Sequence, residues 1–271
     1  MIRVELAAML RRRRTWVVIA MLNALPALVA VLLATTQLGP RPGTGPPFLS
    51  AVLSDGTLFP LAALGIVLPL FLPVAVAVVA GDAIAGESQT GTLRYLLVRP
   101  VGRTRLLVAK LVSVVAFVLV AVLVVAVVAY VLGRLLLGDG DPSGTVTSVS
   151  GSTLSQAEMI QRTVLALGYV TWMMLGVAAL ALLLSTIVES ALTAALGTVA
   201  VLIGSTVLLG LEAADVLQPY LPTRYWLAFV DLFRDPIRWT EVVRGVAAQA
   251  AYLVVFLGAA WANFGSKDVN S

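Results

Sequence analysis

The chain has 271 residues, of which 60% are hydrophobic and 12% charged, with a mean hydropathy of +1.00 and a formal net charge of +4. Soluble domains carry roughly a quarter charged residues, so this composition excludes an ordinary soluble domain and indicates a polytopic membrane protein. There is no cysteine and no histidine, which excludes disulfides, thiol chemistry and imidazole-based sites; no metal ligand set is expected, and the basic balance fits cytoplasmic loops rather than nucleic-acid binding.

Residues 1–14 read as an amphipathic helix. Ile2, Leu6, Met9 and Leu10 fall on one face at helical spacing, and Arg11 to Arg14 form a basic block. Such a helix lies on the cytoplasmic leaflet with its arginines near anionic headgroups. It serves equally as a plain topology signal. A cleaved signal peptide is disfavoured by the length of the apolar run that follows.

The membrane domain occupies 15–271, with spans expected at about 15–36, 57–80, 106–132, 163–188, 191–211 and 245–265. The first carries Asn23 and Pro26, and the Asn is expected to bond a neighbouring helix. The second is interrupted by Pro60, Pro69 and Pro73, each of which removes a backbone donor and bends a helix. Pro69 and Pro73 are therefore pathway or kink candidates. Before the fourth span, Ser155-x-x-Glu158 has the form of a capping box, so that helix should start ahead of the membrane. The fifth span carries Ala191, Ala195, Gly197, Gly204 and Ser205, small residues suited to close helix packing. Gly197, Gly204 and Ser205 join the pathway candidates. The loop 212–244 mixes charge with Tyr220, Tyr225, Trp226, Phe229, Phe233 and Trp239. It reads as two short interfacial or re-entrant helices broken at Pro222 and Pro236.

An even number of spans puts both termini on one side. The side holding the termini and the 81–110 stretch carries 11 of the 18 basic residues, and the other side carries 9 of the 14 acidic ones. That bias places both termini in the cytoplasm of a multi-pass cell-membrane protein. No expected span has a charge near its centre, which weighs against an ion-coupled carrier and an intramembrane protease. A phosphate loop needs G-x-x-x-x-G-K-[ST]; the nearest stretch, Gly81-x-x-x-x-Gly86-Glu87-Ser88, puts an acid where the lysine must be. Any ATP-driven work requires a second chain.

The polar stretch 82–105 is the longest on the cytoplasmic side. Thr92 can cap a short helix, Leu93, Leu96 and Leu97 give it an apolar face, Arg94 projects elsewhere and Pro100 ends it. A simple connecting loop with cytoplasmic arginines is the plainer alternative.

The order Glu87-x-x-x-Gly91-Thr92-Leu93-Arg94-x-Leu96-Leu97-x-Arg99-Pro100-Val101-x-Arg103, with Lys110 on the next helix, resembles the signature of type-2 ABC exporter permeases. It is most similar to the six-span branch that includes the maturation permease for nitrous oxide reductase. Gly102 stands where Ser is common, and Gly also caps helices. The resemblance implies an all-α membrane protein of six transmembrane helices. It would have an N-terminal amphipathic interfacial helix, a cytoplasmic coupling helix between helices 2 and 3, and short extracellular re-entrant helices before helix 6. It further implies that Glu87, Gly91, Thr92, Leu93, Arg94, Leu96, Leu97, Pro100 and Arg103 seat the elbow in a separate ABC ATP-binding subunit. Two such subunits, which bind ATP and Mg, would work with a second permease, the same or homologous. This chain would hold no cofactor and no catalytic site, and its second and fifth spans would face the pathway. Cargo suited to the apolar spans is hydrophobic or amphipathic: a drug, antibiotic or lipid-like molecule. The competing classes are an ion-coupled secondary carrier or channel, and a membrane anchor for an ATPase complex.

Overall fold

The computed structural model describes residues 2–36, 38–40, 45–53, 55–89, 103–138, 145–147 and 153–266. Among them, six helices are long and apolar enough to cross a membrane: Arg13–Thr36, Phe71–Gln89, Thr104–Leu137, Gln156–Ile187, Ala191–Leu209 and Trp239–Ser266. This is an all-α, multi-pass membrane architecture.

Helix α1 (Ile2–Arg11) packs on the start of the third span, and α2 (Arg13–Thr36) follows after one non-helical residue. The Trp16 indole Nε1 donates to the Leu10 carbonyl at 2.8 Å and fixes the joint. Of the expected apolar face of α1, Met9 is buried and Leu6 half-buried, whereas Ile2 and Leu10 are exposed. The face turned to the bundle is thus narrower than the helical spacing implied.

The second span differs from expectation. In place of one kinked helix over 57–80 there are two, α3 (Phe59–Val67) and α4 (Phe71–Gln89), joined by a turn at Leu68–Leu70. Pro69 and Pro73 stand four residues apart, so neither the Gly65 nor the Pro69 carbonyl has a donor four residues on. The ladder gives way there. Backbone broken at membrane depth is tolerated where protein or a cavity surrounds it, and eight of the nine residues of α3 are buried. Helix α4 then continues nine residues beyond the expected end at Ala80, so Asp82 and Glu87 sit on a helix rather than in an elbow.

Helix α5 (Arg103–Leu132) passes into a π-helical turn at Gly133–Leu137. There the backbone meets that of Gly56 so closely that a Cβ on either glycine would overlap the other's carbonyl. A short antiparallel pair, β1 (Thr145–Thr147) with β2 (Thr153–Ser155), leads to α6 (Gln156–Ile187). The expected capping box is present. Ser155 accepts from the Glu158 backbone N–H at 3.3 Å, and Glu158 accepts from the Ser155 N–H at 2.9 Å.

Helix α6 is the centre of the bundle: 67% of its apolar window is buried, against 28% for α7 (Ala191–Leu209) and 17% for α8 (Trp239–Ser266). Helix α4 packs chiefly on α6 and α7. Gly81 permits this, since a Cβ there would lie 3.1 Å from the Ala195 nitrogen and 3.3 Å from the Ala191 carbonyl oxygen.

One end of the bundle gathers α1, the end of α4, the start of α5 and the ends of α6 and α8. The other end is covered by residues 211–238. In place of the two expected helices, three short 3-10 segments lie here, Glu212–Ala214, Gln218–Tyr220 and Trp226–Phe233. Phe48 stacks on Phe229 and meets Phe233 edge-on. Arg162, 8% exposed, donates to the carbonyls of Leu232 at 3.3 Å and Arg234 at 2.8 Å. The Tyr169 hydroxyl donates to Tyr225 at 2.8 Å, and the Gln249 amide to Pro222 at 3.2 Å. The cap is bonded to both α6 and α8.

Candidate functional site

Two places bring chemistry together, one at each end of α4. At the end that holds α1, charged residues of α1, α2, α4 and α5 converge, with Arg12 from the joint between α1 and α2. Lys110 on α5 is 4% exposed. A buried ammonium is costly unless paired, and Lys110 is paired twice: its Nζ lies 3.1 Å from a carboxylate oxygen of Glu5 on α1 and also contacts Glu87 on α4. Further back along α4, Asp82 forms ion pairs with Arg14 at 3.1 Å and Arg12 at 3.5 Å. Both arginines are more than half exposed, so each of these two pairs adds little. The Lys110 pairs are the stronger link because they are removed from water. Three carboxylates thus face three cations, and Glu5, Asp82, Arg12, Arg14 and Lys110 line a cavity of about 50 Å³ together with Met9, Val79 and Val114, room for a few waters at most.

This latch joins the end of α4 to the start of α5. Of the residues expected to seat a partner, Glu87 lies in the latch and Arg103 opens α5. Gly91, Thr92, Leu93, Arg94, Leu96, Leu97 and Pro100 fall outside the described residues. The latch partners Glu5, Arg12, Arg14 and Asp82 were not singled out by sequence reasoning. Lys110 closed the quoted motif, but nothing in the sequence shows that it is buried.

At the other end of α4, the broken stretch faces α7 across a cavity of about 280 Å³. Its wall is Pro69, Leu70, Pro73 and Val74 on one side, Val199, Leu202, Ile203, Thr206 and Val207 on the other, and Trp226 from the cap. Among the described residues, no charged side chain lines it. Pro69 and Pro73, expected from sequence, are both in the wall. Ser205 is buried beside it, its hydroxyl 2.7 Å from that of Thr223, and so ties α7 to the cap. Gly197 and Gly204 do not line the cavity. Gly197 lies close to Leu184 of α6, where a Cβ would stand 3.2 Å from Leu184 Cδ1, and Gly204 faces open space. Leu202, Ile203, Thr206 and Trp226 were missed. The first three repeat at helical spacing along α7, a signal that does not distinguish a cavity wall from packing. Trp226 had only its place in an aromatic loop to mark it.

Helix α4 links the two places. Ser185 of α6, 1% exposed, accepts from the backbone N–H groups of Ile84 and Ala85 and donates to the Gly81 carbonyl at 2.7 Å. No curated protein matches the chain. Residues 27–269 match the family described as "Protein of unknown function (DUF2705)", and the chain belongs to that family.

Proposed function

We propose that this chain is the transmembrane subunit of an ATP-driven ABC exporter in the cell membrane, both termini cytoplasmic. In this reading the segment 90–102 engages a separate ATP-binding subunit, which binds the ATP and Mg. Two permeases, the same or homologous, and two such subunits form the working unit. The cap 211–238 lies outside the cell, as an interfacial or re-entrant element. The cargo is hydrophobic or amphipathic and moves along the α4–α7 face.

The observation that carries this reading is Lys110 buried between Glu5 and Glu87. It pins to each other, and to α1, the two helix ends that flank the segment. A push on that segment is then delivered to α4 and α5 together rather than lost in a loose loop. Helix α4 runs from the latch to the cavity, so the push reaches the wall at Pro73.

The test begins with affinity purification of the full chain from its native host, in which an ABC ATP-binding protein should co-purify. With that subunit present, Glu87→Gln and Arg94→Ala should lower transport at least about tenfold while the protein still inserts. Co-purification of no ATPase, or normal transport in both variants, overturns the reading.

A further inference from the structure

In sequence the arginines at 11–14 are one block, but in the structure they divide. Arg12 and Arg14 pair with Asp82, and Lys110 pairs with Glu5 and Glu87, so this cluster carries no net charge. Among the described residues Arg3, Arg11 and Arg13 have no ion pair, and all three are exposed. Two contacts on the inner side of α1 fix its rotation: buried Met9, and the Glu5 carboxylate on Lys110. At 3.6 residues per turn, Val4, Ala7 and Arg11 then stand on the opposite side, with Arg3 and Leu10 beside them. Val4 is 70% exposed and Leu10 43%. Trp16, whose indole donates to the Leu10 carbonyl, is itself half exposed.

The outer face of α1 and its joint with α2 thus carry three uncancelled positive charges interleaved with apolar side chains. Water would suit the arginines and not Val4, Leu10 and Trp16. Helix α2 has 24 residues, about 36 Å of helix, against a hydrocarbon layer of about 30 Å. Its first turn and the joint therefore fall at headgroup depth, where an indole is favoured. We infer that this face is a binding surface for anionic phospholipids: Arg3, Arg11 and Arg13 meet the headgroups, and Val4, Leu10 and Trp16 enter the acyl boundary. Neighbouring arginines then have separate tasks, Arg12 and Arg14 holding α4 and Arg11 and Arg13 selecting lipid. The surface needs no ATP-binding partner and stands apart from the exporter reading.

The experiment uses the full chain in phosphatidylcholine nanodiscs. The chain has no cysteine, so Ala7→Cys, exposed on the outer face of α1, takes a single neutral nitrobenzoxadiazole fluorophore. Phosphatidylglycerol or phosphatidylcholine with a nitroxide on the acyl chain is added at equal mole fraction, and quenching reports how much of each gathers at α1. Phosphatidylglycerol should be enriched at least about threefold, within what arginines near an anionic surface supply at roughly fivefold each. Arg11→Gln with Arg13→Gln should lower the enrichment at least about twofold, and adding Arg3→Gln should abolish it. Arg14→Gln with Asp82→Asn, which leaves the net charge unchanged, should keep it. Salt at about 1 M, where the Debye length is about 3 Å, should collapse it in the wild-type chain. Equal quenching by the two lipids in the wild-type chain, enrichment that survives the triple variant or the salt, or its loss in Arg14→Gln with Asp82→Asn would each overturn the inference. So would the absence of quenching by either lipid, which would put α1 off the bilayer and leave an acidic protein surface as the occupant. Failure of ATPase co-purification would sink the exporter reading and leave these outcomes standing.

Discussion

At the scale of single residues, Ser185 shows how much a small polar side chain does in a membrane bundle. It meets three backbone groups of α4 within one turn, at 3.1, 2.9 and 2.7 Å. Interhelical hydrogen bonds from small residues stabilise such bundles by about 0.6–2 kcal/mol each. Ser185→Ala should therefore lower stability by about 1–2 kcal/mol, read as a fall in thermal midpoint in detergent, with α4 loosened from α6. An unchanged midpoint would mean that the hydroxyl is incidental. Nothing in the sequence marks this serine among its apolar neighbours, because its partners lie about a hundred residues away. Lys110 teaches the same lesson in charge. Counting it as one more cytoplasmic cation says nothing of its burial. Lys110→Met, which withdraws the buried ammonium from both Glu5 and Glu87, should cost about 3–5 kcal/mol. Lys110→Met combined with Glu87→Gln should recover part of that loss, and equal midpoints for the single and double variants would show that the two residues are not coupled.

At the scale of elements, local chemistry was readable and long-range chemistry was not. The Ser155–Glu158 cap appears as expected because both partners lie within four residues. Prolines at 69 and 73 announced a disturbance in the second span. They did not announce a full break, nor that α3 would become a short helix with eight of its nine residues buried, since its burial depends on neighbours distant in sequence. The overrun of α4 to Gln89 has the same origin: Asp82 and Glu87 are acceptable on a helix because Arg12, Arg14 and Lys110 reach them from other parts of the chain. Where α4 crosses α7, Gly81 sets the distance. Gly81→Val would press a branched side chain on the backbone of α7, and overpacking of this kind costs about 1–3 kcal/mol. The expected outcome is a lower thermal midpoint than that of Gly81→Ala, whose single methyl needs a shift of only tenths of an ångström. Equal midpoints would show that the crossing is soft.

At the scale of the whole molecule, six apolar spans were legible from hydropathy, and their count survives the change in the second one. Orientation is the property on which the proposed function most depends. The chain contains no cysteine, so single substitutions report sidedness without a background. Val216→Cys, at an 84% exposed position in the cap, should react with an impermeant maleimide in intact cells. Gln89→Cys, exposed at the opposite end, should react only in inverted vesicles. The reverse pattern would put the segment 90–102 outside and remove any route to an intracellular ATPase.

The evenly matched charges at the foot of α4 have an electrical consequence. Moving one elementary charge across a potential of 100 mV involves about 2.3 kcal/mol. Glu5, Asp82 and Glu87 cancel Arg12, Arg14 and Lys110, so a rigid shift of this cluster carries no gating current. Voltage does no work on it, and the stroke proposed for it should run at the same rate in polarised and depolarised vesicles.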